Sequence, residues 1–288
     1  MKSTHATTLL VAICLPVTAA RPVAQTAGVL ARYTLDRGAG HQFELPDDLH
    51  EISGLATSAQ GLFFAHGDES AVVFELDPGT GQPIERFEVG EETATGDFEG
   101  IAIAGSRLFM ATSAGGIIEF GAAADGARVP FFTHRGLPAE DCEVEGLEYD
   151  AATDSLLLAC KAAHSKSLED QLVVFAFSLD SMRPEVRPRV AIPIESLGGD
   201  IGKNLSPSGI AIHPTAGTIF VVAAREKMLV ELTREGRPLG ARRLPGRDHE
   251  QPEGIAFSPD GTLWIADEGG NGRATITRYA IATGSSRP

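Results

Sequence analysis

An all-β fold, a β-propeller of five four-stranded blades, is predicted by three observations. A short pattern recurs along the chain: Ser53-Gly54-Leu55, Glu99-Gly100-Ile101, Glu145-Gly146-Leu147, Ser208-Gly209-Ile210 and Glu253-Gly254-Ile255. Its glycines lie 46, 46, 63 and 45 residues apart, a period that suits one small sheet per repeat, since such a sheet buries both faces only when neighbours pack on it. Each copy also runs into a turn and a β-rich stretch, as in Gly61-Leu62-Phe63-Phe64-Ala65 and Leu156-Leu157-Leu158-Ala159. No apolar run with a 3.6-residue period is long enough to argue for helices instead.

The last copy is the most complete. Glu253 to Phe257 alternate as a strand, Ser258-Pro259-Asp260-Gly261 has the residue order of a turn with glycine where φ is positive, and Thr262 to Ala266 resume the strand.

Taken from the N-terminus, residues 1–20 have the features of a signal peptide: Lys2, an apolar run from Thr8 to Val17, and small residues at Val17-Thr18-Ala19. Cleavage near Ala19 or Ala20 is expected, which predicts a periplasmic or secreted protein with one propeller domain over residues 21–288. The run is too short for a membrane span, although an anchored N-terminus is the alternative to cleavage. Ile13, before Cys14, is not the small residue a lipidation site needs.

Val29 to Asp36 reads as a strand. The last motif copy leaves room for only three strands, the third from Ala274 to Ile281, so this N-terminal strand is expected to supply the fourth and close the ring. Blade one is expected to add Ala71–Leu76 and Ile84–Val89, and blade two Gly116–Phe120 and Val129–Thr133. Blade three carries the extra length in two loops, His164–Asp170 and Glu195–Asn204, around the strands Gln171–Phe177 and Arg189–Pro193. A sixth, degenerate blade within that gap is the alternative.

Cys142 and Cys160 flank the hairpin strands of the third copy. They are either bonded, as an oxidising compartment permits, or two separately buried thiols. The formal charge is −15, with no basic stripe, which excludes nucleic acid and anionic membrane surfaces as partners and suits a protein that meets cations.

In a propeller the innermost strands begin on the face where the second strands end, so both sets of residues should converge on one channel mouth. The first set is Ser53, Glu99, Glu145, Ser208 and Glu253. Two residues earlier, on the same side of an extended strand, stand Glu51, Asp97, Glu143, Ser206 and Gln251. Second-strand ends contribute His66, Asp68, Glu69, Ser113, Lys161, Arg225, Glu226, Asp267 and Glu268. Carboxylates crowded around one opening need protons, basic partners or a cation. An all-oxygen set suits Ca²⁺, with Glu99, Glu145, Glu253, Asp68 and Asp267 as expected ligands. Ser53, Ser208, Glu51, Asp97, Glu143, Lys161 and Arg225 are the remaining binding candidates, and Lys161 and Arg225 are the alternative neutralisers. No G-x-S-x-G, H-E-x-x-H, C-x-x-C or P-loop pattern is present, and His66 is the one candidate for a general base.

The segments EISGLA, DFEGIAI, EVEGLEYD, SPSGIAIHP and QPEGIAFSPDGTLWIADE, spanning Glu51 to Glu268, resemble the SdiA-regulated family of bacterial propellers. That resemblance implies an exported β-propeller with calcium at its channel and no settled activity. Thr112-Ser113-Ala114 departs from the acidic second-strand ends of the pattern. Two functions are expected from these readings. One is a binding module for a small ligand or an envelope protein, monomeric and not integral to the membrane. The other is a metal-dependent hydrolase of lactones or phosphoesters, against which stands the absence of Asn from every candidate position.

Overall fold

The computed structural model describes residues 28–198 and 201–282, so the expected signal segment lies outside the described residues. Five antiparallel-based sheets form the fold, and their innermost strands neighbour one another in a closed cycle. The propeller has five blades. Their inner strands are Ile52–Thr57, Phe98–Ala104, Cys142–Asp150, Gly209–Ile212 and Pro252–Phe257. Among the described residues the 63-residue gap holds no sixth sheet. It is taken up by inner and second strands of nine residues each in blade three and by the short 3-10 turns Lys166–Leu168 and Ile194–Leu197.

Burial follows position in the blade. The second strands Ile219–Ala223 and Leu263–Asp267 are buried throughout, because a blade interior is covered on both faces and selects a continuous apolar run. Outer strands such as Pro238–Arg243 are exposed or half-buried. The apolar residues divide into five clusters, each shared by adjacent blades. Trp264, with Phe63 tilted against it at 5.0 Å between ring centroids, fills the joint between blades five and one, and its indole N–H donates to Ser258 Oγ at 2.8 Å. The turn predicted at Ser258–Gly261 forms, and Ser58–Gly61 makes the equivalent turn in blade one, both with glycine φ at +87° and closing hydrogen bonds of 2.8 and 2.9 Å.

Two strand expectations are corrected. Closure does use the N-terminal segment, but the strand that pairs with Thr275–Tyr279 is His41–Glu44. Residues Leu30–Arg32 form a 3-10 turn instead, because the fully buried Glu231 carboxylate needs donors and takes the N–H groups of Val29 and Leu30 at 2.8–2.9 Å together with the Thr218 hydroxyl at 2.8 Å. In blade two, Val129–Thr133 is divided. Pro130 has no N–H to continue a ladder, so Arg128–Val129 pairs in parallel with the outer strand of blade one, while Phe132–His134 completes blade two.

Cys142 and Cys160 are disulfide-bonded with their Cα atoms 5.5 Å apart. Register shifts on either side of Val144 bring Cys142 within reach of a cysteine that is not its cross-strand partner.

Candidate functional site

In three of its five copies the repeated motif is a β-bulge. The ladder slips between Ile52 and Gly54, Phe98 and Gly100, and Pro252 and Gly254, leaving Ser53, Glu99 and Glu253 as the extra residues. A bulge bends the strand and re-aims one side chain; here it directs them to the axis, where they line a cavity of about 10 Å³ with Ser208 and the five motif glycines, room for about one water. The glycines are required by close approach between blades: a Cβ on Gly100 would lie 2.5 Å from the Leu147 nitrogen, and one on Gly209 would lie 2.8 Å from the Glu253 carbonyl oxygen.

Most of the predicted mouth residues have local partners. Ser53 Oγ donates to Glu99 at 2.8 Å, Ser113 donates to Asp97, and Gln251 donates to Glu268. Lys161 lies 2.8 Å from Glu145 and 3.4 Å from Glu143. Ser206 donates its N–H to Glu226 at 2.8 Å. Ser208 Oγ donates to the Pro252 carbonyl at 2.7 Å and accepts from Ala224 at 3.1 Å. Glu51 and Asp68 line a separate cleft of about 210 Å³ beside His50 and Arg86.

Asp267 is not at the opening. Successive strand residues face opposite ways, so Glu268 faces the mouth while Asp267 is buried and lies 2.7 Å from His249 Nδ1, whose Nε2 is 2.7 Å from Tyr279 Oη. His66, the candidate base, is sealed inside the blade rather than exposed at its rim. It is fully buried, its Nδ1 is 2.8 Å from the Gly67 carbonyl, and its ring covers the place a Gly54 side chain would take. Burial pushes its pKa down to about 4, so the ring is neutral and out of contact with any molecule at the mouth.

The carboxyls hold protons unusually well. Burial, then the charge of Glu145, pushes Glu99 up to about 9. Burial, then Glu268 and Glu145, pushes Glu253 up to about 8. Glu268 is raised by burial, Asp68 and Glu51, and burial raises Glu145 against the opposing effect of Lys161. In the unfolded chain these groups ionise in the ordinary carboxylate range. The folded state therefore binds more protons above that range, and the stability these groups contribute in acid is lost as pH rises toward 9. Melting temperature is expected to fall between pH 6 and pH 9 by the equivalent of about 2 kcal/mol, reduced from the full linkage value by solvent at the open mouth. Glu99→Gln should flatten that limb; a variant profile parallel to the wild type would show that Glu99 ionises normally.

Calcium requires six to eight oxygen ligands. Among the described residues no three Asp, Glu, His or Cys side chains converge to hold a metal ion. With Glu145 committed to Lys161 and Asp267 to His249, the expected set Glu99, Glu145, Glu253, Asp68 and Asp267 does not fit a directly chelated ion.

The mouth continues instead into a pocket of about 350 Å³ between blades three, four and five, lined by Glu145, Lys161, Ser206, Arg225, Lys227 and Glu253 among others. Sequence reasoning named most of these but missed Lys227 and Glu250. Both lie in loops, where residue order carries no signal of orientation.

Residues 136–271 match the SdiA-regulated family. The SdiA-regulated segment runs from the approach to blade three through the second strand of blade five, and so contains every residue that lines this pocket. No curated protein matches the chain. Among solved structures, glutaminyl cyclase of Myxococcus xanthus is similar at 15% identity and a TM-score of 0.53, over 83% of this chain and 94% of that one. The PQQ-bound aldose sugar dehydrogenase of Streptomyces coelicolor gives 14% identity and 0.53, over 83% and 98%. A luciferin-regenerating enzyme gives 10% and 0.52, over 86% and 96%. At such identities the likeness is one of fold. Among the described residues no helix is long and apolar enough to cross a membrane.

Proposed function

We propose that this SdiA-regulated propeller is an exported binding module that takes a small ligand in the mouth pocket between blades three, four and five. The observation that carries this reading is the pocket itself. A cavity of about 350 Å³ falls in the size range of small-molecule sites, and it brings both signs of charge together in a chain whose net charge is −15. Export is supported by the residue pattern of positions 1–20 and by the Cys142–Cys160 bond, since structural disulfides persist in oxidising compartments.

Ligand-observed NMR with a mixed small-molecule library tests the reading. Compounds that bind the wild type are expected to lose binding to Arg225→Ala, a change at an exposed residue that should leave the melting temperature within a degree or two. Binding insensitive to Arg225→Ala, or no binding at all, would overturn it.

A second reading places calcium over the mouth, held through water by the carboxylates. Burial and then repulsion by neighbouring carboxylates raise Glu99, Glu253 and Glu268, and the repulsive part supports it, because a cation relieves that repulsion. Millimolar calcium should then raise the melting temperature at pH 8 in the wild type and less so in Glu253→Gln; equal shifts, or none, would dismiss the ion.

A further inference from the structure

Side chains of both charges line the mouth pocket. Arg225 is exposed, and its guanidinium has neither an ion-pair nor a hydrogen-bond partner among the described residues. Lys227 reaches only the Gly246 carbonyl, at a long 3.4 Å. Among the described residues these two cations of the pocket have no carboxylate ion-pair partner, whereas Lys161 is held by Glu145 and Glu143. The acidic lining comes from Glu145 and Glu253 on the inner strands of blades three and five, with Glu250 preceding blade five.

A simple anion would meet Arg225 and Lys227 but lie beside the Glu250 carboxylate and gain nothing from the Glu253 carboxyl. A simple cation would be drawn to Glu250 and Glu253 but opposed by Arg225 and Lys227. A molecule carrying both charges satisfies both sets of side chains, and the available volume of about 350 Å³ accommodates a free amino acid or a dipeptide. Resting on the reading of this pocket as the ligand site, we infer that the ligand is a small zwitterion whose carboxylate pairs with Arg225 and Lys227 and whose primary ammonium pairs with Glu253. Arginine matches a carboxylate with two parallel N–H donors, and partial burial of Glu253 strengthens its attraction to an ammonium.

The arrangement has a proton signature. Glu253 is pushed up to about 8 by burial and by its acidic neighbours, so at pH 7 it largely holds a proton. An ammonium docked beside it favours the ionised form, and the proton passes to the buffer.

The test is isothermal titration of the full chain with a panel of amino acids and glycyl dipeptides, alongside their N-acetylated and C-amidated forms, in two buffers of different ionisation enthalpy. At least one panel member is expected to bind with net proton release at pH 7. Blocking either end should weaken it tenfold or more, as should Arg225→Ala. Glu253→Gln should weaken it and abolish the proton release, which a merely structural role for Glu253 would leave in place. Binding that ignores both blocking groups overturns the zwitterion. So does a library whose Arg225-dependent ligands carry only one charge, and that outcome leaves the pocket as the ligand site. Absence of any Arg225-dependent ligand removes both.

Discussion

Gly100→Val is expected to destabilise the protein by about 3 kcal/mol or more, since overpacking a closely fitted interior costs about 1–3 kcal/mol and forced backbone shifts add to it. The reason is specific to the position. Even a lone Cβ there would sit 2.5 Å from the Leu147 nitrogen and 3.0 Å from the Gly146 carbonyl carbon, both backbone atoms of the neighbouring inner strand. A flexible side chain could move aside; a strand hydrogen-bonded within its own blade cannot. Opening the gap between blades two and three would also disturb the Glu99 and Glu145 side chains one residue before each glycine. Gly121→Ala is the control. It has no neighbour within 4 Å of the added atom and no positive φ, so its stability should stay within about 0.5 kcal/mol of the wild type. Urea unfolding of the two variants checks the pair, and comparable midpoints would mean that the inner strands do not approach as described.

Loss of the Cys142–Cys160 bond is expected to cost about 3 kcal/mol, the loop-closure value for a cross-link across 18 residues. Both cysteines are buried, at 0% and 3% exposure, and the bond fastens the inner strand of blade three to its second strand beside Val144, where the ladder is interrupted by register shifts. It therefore replaces hydrogen bonding with a covalent tie just before Glu145 leaves for the mouth. A double Cys→Ala variant avoids burying new hydroxyl groups and should unfold at a lower urea concentration than the wild type. Adding reductant should move the wild type toward the variant and leave the variant unchanged. A wild-type midpoint indifferent to reductant would show that the bond contributes nothing to stability.

The blades were legible because they rest on local and periodic features. The turns at Gly61 and Gly261 are written in four adjacent residues, and each inner strand announces itself by its own glycine. The closing strand was not legible, since three of the four residues of His41-Gln42-Phe43-Glu44 are polar and exposed, so no alternation marks it. Its neighbour Val29–Asp36 looked more like a strand, and only the buried Glu231 explains why Leu30 turns there instead. The site divided in the same way. That Glu99, Glu253, Ser53 and Ser208 share one axis follows from the repeat. That Asp267 turns inward to His249 while Glu268 faces the opening depends on a strand's pairing register and on a histidine 18 residues away.

By itself, then, the sequence determined the propeller class, the inner strands with their hairpin turns and the ring of motif residues, because period, turn chemistry and the need to bury apolar faces act along the chain. Only the tertiary structure decided which carboxylates keep their protons, which are paired by Lys161 or His249, and that Arg225 and Lys227 line one pocket with Glu253. Those outcomes depend on through-space distance and burial, which a single chain specifies only after the bulges and the ring closure have placed its segments side by side.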